Sequence, residues 1–193
     1  DMHKDGPRQG PGGDDETRLA ITLSGLKAAR NLNIADIGCG TGASMLVLAS
    51  ELDARVTAVD FLPEFIRELD SAVKRENLGT RVDTLVASME ALPFREQSFD
   101  AIFSEGAIYN IGFEKGIRDW KAFLKPGGYL AVSEITWITQ SRPRAIEDFW
   151  KQEYPEVDTA SNKIKMLEEN GYNLVGYFYL QPESWIENYY KPM

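Results

Sequence analysis

An open α/β sheet, doubly wound and mostly parallel with helices on both faces, is the fold class this chain predicts, and three observations predict it. Short β-rich runs alternate with amphipathic helical segments along most of the chain. The runs are close to continuously apolar, as strands covered on both faces are. A glycine-rich turn at residues 38–42 stands where the first run gives way to a helical stripe. At 193 residues a single domain is the default, long enough to bury a core between a sheet and its helices.

The elements follow in order. Residues 1–13, DMHKDGPRQGPGG, repeat glycine and proline without apolar periodicity and read as a flexible arm, which leaves 14–193 as the folded domain. From Asp14 onward, acidic residues precede Leu19, Leu23 and Leu26, the pattern of an amphipathic helix with negative charge at its N-terminal end. Residues 33–37 form a short apolar strand, and Met45, Leu48, Ala49 and Leu52 recur as one helical stripe. The run 55–59 is rich in β-branched residues, and Pro63 opens a helix carrying Phe65, Ile66, Leu69 and Val73 on one face. Strands are expected at 81–86, 99–104 and 128–135, with a helix around 114–124. A last helix near 160–170 ends at Gly171, and a strand is expected at 173–180. Residues 137–157 are too long and too aromatic for a plain connection and suggest a cap over a substrate pocket.

Composition narrows the function. Positive residues number 21 and negative ones 30, a formal net charge of −9 that disfavours a phosphate backbone, so nucleic acid is not an expected partner. No apolar run approaches the roughly 20 residues of a membrane span, and no basic stretch followed by an apolar one marks secretion. The lone cysteine, Cys39, cannot form an intrachain disulfide, which suits a reducing cytoplasm. With one histidine and one cysteine, only carboxylates remain as metal ligands, and they show no metal-loop spacing; no metal is expected.

The most informative segment is 35–43, ADIGCGTGA. Gly38, Gly40 and Gly42 let the backbone turn tightly and approach a ligand closely. The same glycines satisfy a loose dinucleotide fingerprint, so alone they do not separate a nicotinamide cofactor from S-adenosylmethionine. Asp36 places a carboxylate at the mouth of the turn, where it would repel a pyrophosphate and tolerate a cationic sulfonium and ammonium. Asp60, ending the next strand, can accept hydrogen bonds from the ribose of either cofactor.

Together, ADIGCGTG, the strand-terminal Asp60, the ASMEALPF segment and the KPGG turn resemble class I S-adenosylmethionine-dependent methyltransferases over residues 14 to 181. SEGAIYNIGFE at 104–114 is similar to a bacterial subgroup whose small-molecule substrates are largely unassigned. The resemblance implies a Rossmann-like sheet binding S-adenosylmethionine, with S-adenosylhomocysteine as product. It implies that residues 38–42, Cys39 included, border the methionine and ribose, that Asp60 holds the ribose, and that Phe61 and Leu62 flank the adenine. Ser88 and Met89 would reach the adenine edge, and Ser104 and Glu105 would border the methionine end. The family's fold normally finishes with an antiparallel hairpin; its seventh strand is not found here, and the sequence is read as one that could be truncated.

The methyl acceptor falls to the loops after the fourth and fifth strands. Glu105 and Tyr109 are the catalytic candidates, and Tyr109, Trp137, Trp150 and Tyr154 the substrate-binding ones, at the edge where open α/β sheets collect ligands. Glu134, at the end of the fifth strand, could bind a cation or cap a loop. An amine or another cationic or partly apolar metabolite is mildly favoured by this acidic and aromatic lining. Cys39 contributes its backbone rather than its thiol, and His3 lies in the arm, away from any expected chemistry. Methyl transfer to a small-molecule acceptor by in-line displacement is thus the leading reading, with homo-oligomerisation left open. A nicotinamide-dependent oxidoreductase and a non-catalytic S-adenosylmethionine-binding protein stand as alternatives. The Asp/Asn-Pro-Pro-aromatic motif of nucleic-acid amino-methyltransferases has no counterpart in SEGAIYN, and arsenite methyltransferases need several cysteines.

Overall fold

The computed structural model describes residues 8–191. Helix α1 (Asp14–Ser24) precedes two strand–helix units, β1 (Leu32–Ile37) with α2 (Ala43–Glu51) and β2 (Ala54–Asp60) with α3 (Pro63–Arg75), after which β3 (Val82–Val86) leads without a helix into β4 (Phe99–Ser104). Then come α4 (Phe113–Trp120), β5 (Leu124–Val132) and a small excursion made of β6 (Thr136–Trp137), α5 (Arg144–Glu153) and β7 (Asp158–Thr159). Helices α6 (Ala160–Glu169) and α7 (Pro182–Trp185) follow, and a π-helical turn at Ile186–Tyr190 continues α7.

The main sheet has strand order β3-β2-β1-β4-β5, and every pairing is parallel. The order reverses beside β1, so β1 and β4 leave a crevice at their carboxyl ends, the place where open α/β sheets bind ligands. Strand periodicity of two sends neighbouring side chains to opposite layers. Ile34 and Phe103 pack with Ile21 of α1, with α2 and with α3, whereas Ala35, Ile37 and Ile102 pack with Phe113, Ile117 and Trp120 of α4. Both faces are therefore covered.

Three sequence expectations are corrected. Residues 173–180 run without a ladder: Val175 is 60% exposed, Tyr177 and Tyr179 are also exposed, and Gly176 passes Leu23. Their apolar content suits a strand, but a strand persists only where an edge pairs with it, and the outer edge of β5 borders a cavity instead. In α1 the buried positions are Thr17 and Ile21, while Leu19 and Leu23 are exposed. The fifth strand starts earlier than expected, at Leu124, with an irregularity in register between Phe99 and Ala101 that absorbs the KPGG turn. Gly171 does close α6: at φ 77° its N–H donates to Glu168 O, and the N–H of Tyr172 to Leu167 O. No helix among the described residues is long and apolar enough to cross a membrane. His3 lies outside the described residues.

Candidate functional site

The turn after β1 is shaped by what crowds it. Gly38 has φ 75°, and a Cβ there would overlap Ala107 of the loop after β4 and press on Met89 Cε at 3.3 Å. Only glycine lets the two loops close this tightly. The N–H of Gly40 donates to Asp60 Oδ2 at 2.9 Å, and the N–H of Leu62 donates to Asp60 Oδ1 at 3.0 Å. The carboxylate is thus fixed between the turn and the loop after β2, and each oxygen keeps a lone pair for a further donor. Beside it Phe61 is 68% exposed, a bare aromatic face next to the turn, and Leu62 is half-buried. Past β3, the Met89 carbonyl accepts from Trp120 Nε1 at 3.1 Å, and Ser88 Oγ accepts from the N–H of Glu90. Cys39 is buried and burial pushes its thiol well above the usual range, so it is no thiolate at neutral pH.

Asp36 is placed differently from the expectation. It is fully buried beneath the turn rather than exposed at its mouth, because β1 turns its side chain into the layer shared with α2. Ser44 Oγ donates to its Oδ2 at 2.8 Å, and Oδ1 has no hydrogen-bond partner among the described residues. Desolvation raises its pKa from 3.8 to about 7, opposed by the Ser44 hydroxyl and reinforced by the charge on Glu105. Ser104, at the end of β4, is also buried with its Oγ unpartnered among the described residues.

Glu105 Oε2 accepts from Thr17 Oγ1 at 3.0 Å and pairs with Arg8 Nη1 at 3.1 Å. Burial raises its pKa, against the pull of Arg8 and Thr17. Arg8 also pairs with Asp14 at 3.0 Å, and Gln9 Oε1 accepts from the Thr41 N–H at 3.0 Å. Residues 8–12 therefore cross the glycine turn, held from behind where Asn188 Nδ2 donates to Gly12 O at 2.8 Å. Sequence reasoning passed over Arg8 and Gln9. The signal was the Arg-Gln pair directly before Gly-Pro-Gly, which stiffens a chain as readily as it loosens one.

A cavity of about 1550 Å³ runs along the outer edge of β5, from Leu124 to the loops beyond its carboxyl end. Glu105, Tyr109, Trp150 and Tyr154 line it, together with Glu134 and Lys163. The rings of Tyr109 and Tyr154 meet edge to face at 6.2 Å, and Trp150 packs on Phe149 at 5.5 Å. Trp137 is not among the lining residues; in β6 its ring lies under the Arg142 guanidinium at 4.3 Å. The 137–157 segment is anchored at its base, where Glu156 Oε2 accepts from the Phe113 N–H at 2.7 Å and so caps α4. Lys163 gave no signal in sequence, since a lysine on a helix is ordinarily a solvated one.

The arrangement fits an adenosyl ligand with an amino-acid tail: glycines that a Cβ would fill, a carboxylate at the end of β2, and the buried, unpartnered Asp36 Oδ1 and Ser104 Oγ. Comparison with known proteins agrees. A family described as a methyltransferase domain matches residues 34–128. A ubiquinone/menaquinone biosynthesis C-methyltransferase of Geotalea daltonii is 29% identical over 127 residues, 64% of this chain and 54% of that protein. Among solved structures, a putative sarcosine dimethylglycine methyltransferase from Galdieria sulphuraria superposes with a TM-score of 0.76 at 17% identity, over 92% of this chain and 67% of the other. Phosphoethanolamine N-methyltransferase 2 of Haemonchus contortus, in complex with S-adenosyl-L-methionine, gives 0.73 at 22%, over 85% and 38%. The chain spans about half the length of the first of these relatives.

Proposed function

We propose that the chain, whose residues 34–128 match a methyltransferase-domain family, is a class I S-adenosylmethionine-dependent methyltransferase that transfers a methyl group from S-adenosylmethionine to a small-molecule acceptor. The observation that carries this reading is the Asp60 carboxylate, fixed by the N–H groups of Gly40 and Leu62 with lone pairs to spare for a ribose diol. Phe61, Leu62, Ser88 and Met89 form the adenine side. Gly38 to Gly42, with Cys39 serving through its backbone, face the methionine and ribose. Asp36, Ser104 and Glu105 form the methionine end, where Asp36 Oδ1 and Ser104 Oγ, without partners among the described residues, have hydrogen-bonding capacity to spare and Arg8 already balances the charge on Glu105. Bound there, S-adenosylmethionine supplies an electrophilic methyl group on a positively charged sulfur.

The protein's contribution to such a reaction is positioning and exclusion of water. Arg8 and Gln9 cover the turn from the arm, while Tyr109, Trp150 and Tyr154 wall the acceptor side. Trp137 acts at most through the packing of the cap, since its ring is held by Arg142. We place the work in the cytoplasm and on a metabolite rather than a nucleic acid, in keeping with the net charge of −9; a homo-oligomer is compatible with this reading. The test is incubation with radiolabelled S-adenosylmethionine and a panel of metabolites. Label transfer with stoichiometric S-adenosylhomocysteine release is expected, and label confined to tRNA or protein would refute the small-molecule assignment.

A further inference from the structure

Glu134 stands just past the end of β5 in a setting assembled from three parts of the chain. Lys163 Nζ of α6 donates to its Oε1 at 2.9 Å, and Tyr154 Oη, from the turn after α5, donates to the same oxygen at 2.5 Å. The other oxygen, Oε2, is buried and accepts no hydrogen bond among the described residues. The Lys163 and Glu134 side chains are 5% and 6% exposed. The ammonium also lies over the rings of Phe113 at 4.5 Å and Tyr154 at 5.2 Å. Glu134 is linked to the cofactor edge through its neighbour: the Ser133 N–H donates to Ser104 O at 3.1 Å, and Ser133 Oγ accepts from the Gly106 N–H at 2.7 Å.

Burying an ion pair this deeply is no gain over apolar packing unless its remaining lone pairs are met, and here one carboxylate oxygen is left over in a residue that lines the cavity. That oxygen requires a hydrogen-bond donor. Charge then selects among donors. Lys163 balances Glu134 as Arg8 balances Glu105, so an ammonium entering the cavity would find both carboxylates paired and a like charge at Lys163. A neutral hydroxyl meets only the free lone pair. Tyr109, Trp150 and Tyr154 beside it offer faces and edges to a flat apolar body.

Resting on the methyltransferase reading above, we infer that Glu134, Lys163 and Tyr154 form the acceptor site, and that the acceptor is a neutral, planar molecule attacking through a phenol- or enol-type hydroxyl. Glu134 Oε2 holds the hydroxyl hydrogen. The acceptor oxygen bonds the methyl carbon with a lone pair as the C–S pair returns to sulfur; the O–H pair stays on oxygen and the proton passes to Oε2, then to water. Burial raises the Glu134 pKa above the usual carboxylate range and the charge on Glu156 adds to this, while the Tyr154 hydroxyl and the Lys163 ammonium pull it back toward the ionised, acceptor-only form; the raised value makes the carboxylate a better proton acceptor. This differs from the cationic acceptor that the sequence favoured, because Lys163 was not visible there as a buried partner.

The test uses the full chain. Calorimetry first measures S-adenosylhomocysteine binding; difference absorption then follows 4-nitrophenol added to that complex, and radiolabelled S-adenosylmethionine reports transfer to a set of phenols, enols and matched benzylamines. We expect 4-nitrophenol to bind and the label to appear on hydroxyl oxygen. Glu134→Gln should lower hydroxyl turnover at least about a hundredfold and remove the acidic limb of its pH profile, with S-adenosylhomocysteine affinity unchanged. Tyr154→Phe keeps the ion pair and should cost about tenfold, which guards against a folding defect in the first variant. Label on benzylamines alone, hydroxyl turnover that survives Glu134→Gln, or failure of 4-nitrophenol to bind the complex overturns the acceptor assignment and leaves the methyltransferase reading standing. Failure of S-adenosylhomocysteine to bind overturns that reading, and the assignment with it.

Discussion

At the scale of single residues, the carboxylates divide by environment rather than by type. Asp60 is half-exposed and held by two backbone N–H groups, whereas Asp36 is fully buried with a pKa raised to about 7. A carboxyl whose folded pKa exceeds its unfolded value holds its proton more tightly when folded. Its contribution to stability is present below about pH 4 and is lost as pH rises through about 7, a change of about 4 kcal/mol for a shift from 3.8 to about 7. Asp36→Asn keeps a partner for the Ser44 hydroxyl and removes the titration. Urea denaturation at about pH 5 and pH 8 should therefore show the variant gaining on the wild type as pH rises; a gap that does not move with pH would contradict the assignment. Sequence showed that an acid precedes the glycines but placed it at the mouth, because burial depends on which layer β1 turns it toward.

At the scale of elements, strand and helix identity were legible where side chains meet a core. The stripe Ile66, Leu69 and Val73 in α3 is buried as its spacing requires, and Gly171 ends α6 as a left-handed glycine should. Reading failed where tertiary partners decide: residues 173–180 have strand composition and no pairing edge, and α1 buries Ile21 rather than the Leu19–Leu23 side. The tie between β5, α5 and α6 was likewise hidden, since Glu134, Tyr154 and Lys163 are far apart in sequence and meet only in the fold. Lys163→Met leaves the Glu134 carboxylate buried without its cation and should destabilise the protein by about 3–5 kcal/mol. Adding Glu134→Gln to it should recover most of that loss. Equal denaturation midpoints for the single variant and the wild type would mean that the pair is solvated and contributes no such coupling.

At the scale of the whole molecule, a parallel sheet that reverses its strand order beside β1 gathers the ends of β1, β2, β4 and β5 along one edge. The glycine turn, Asp60, Glu105 and Glu134 all lie along that edge, and the glycine turn was readable because its motif is contiguous. The proposed acceptor half is assembled from two loops and α6, so Glu105, Glu134 and the aromatics drew notice in sequence while Lys163 and its contact with Glu134 did not. The central claim is that this edge binds S-adenosylmethionine through Asp60. Calorimetric titration of wild type and Asp60→Ala with S-adenosylhomocysteine, and of the wild type with NADH, tests it most directly. Saturable binding of S-adenosylhomocysteine alone is predicted, weakened in the variant by about 1.5–3 kcal/mol for the lost charged acceptor. Binding of NADH instead, or an affinity for S-adenosylhomocysteine that Asp60→Ala leaves unchanged, would contradict it.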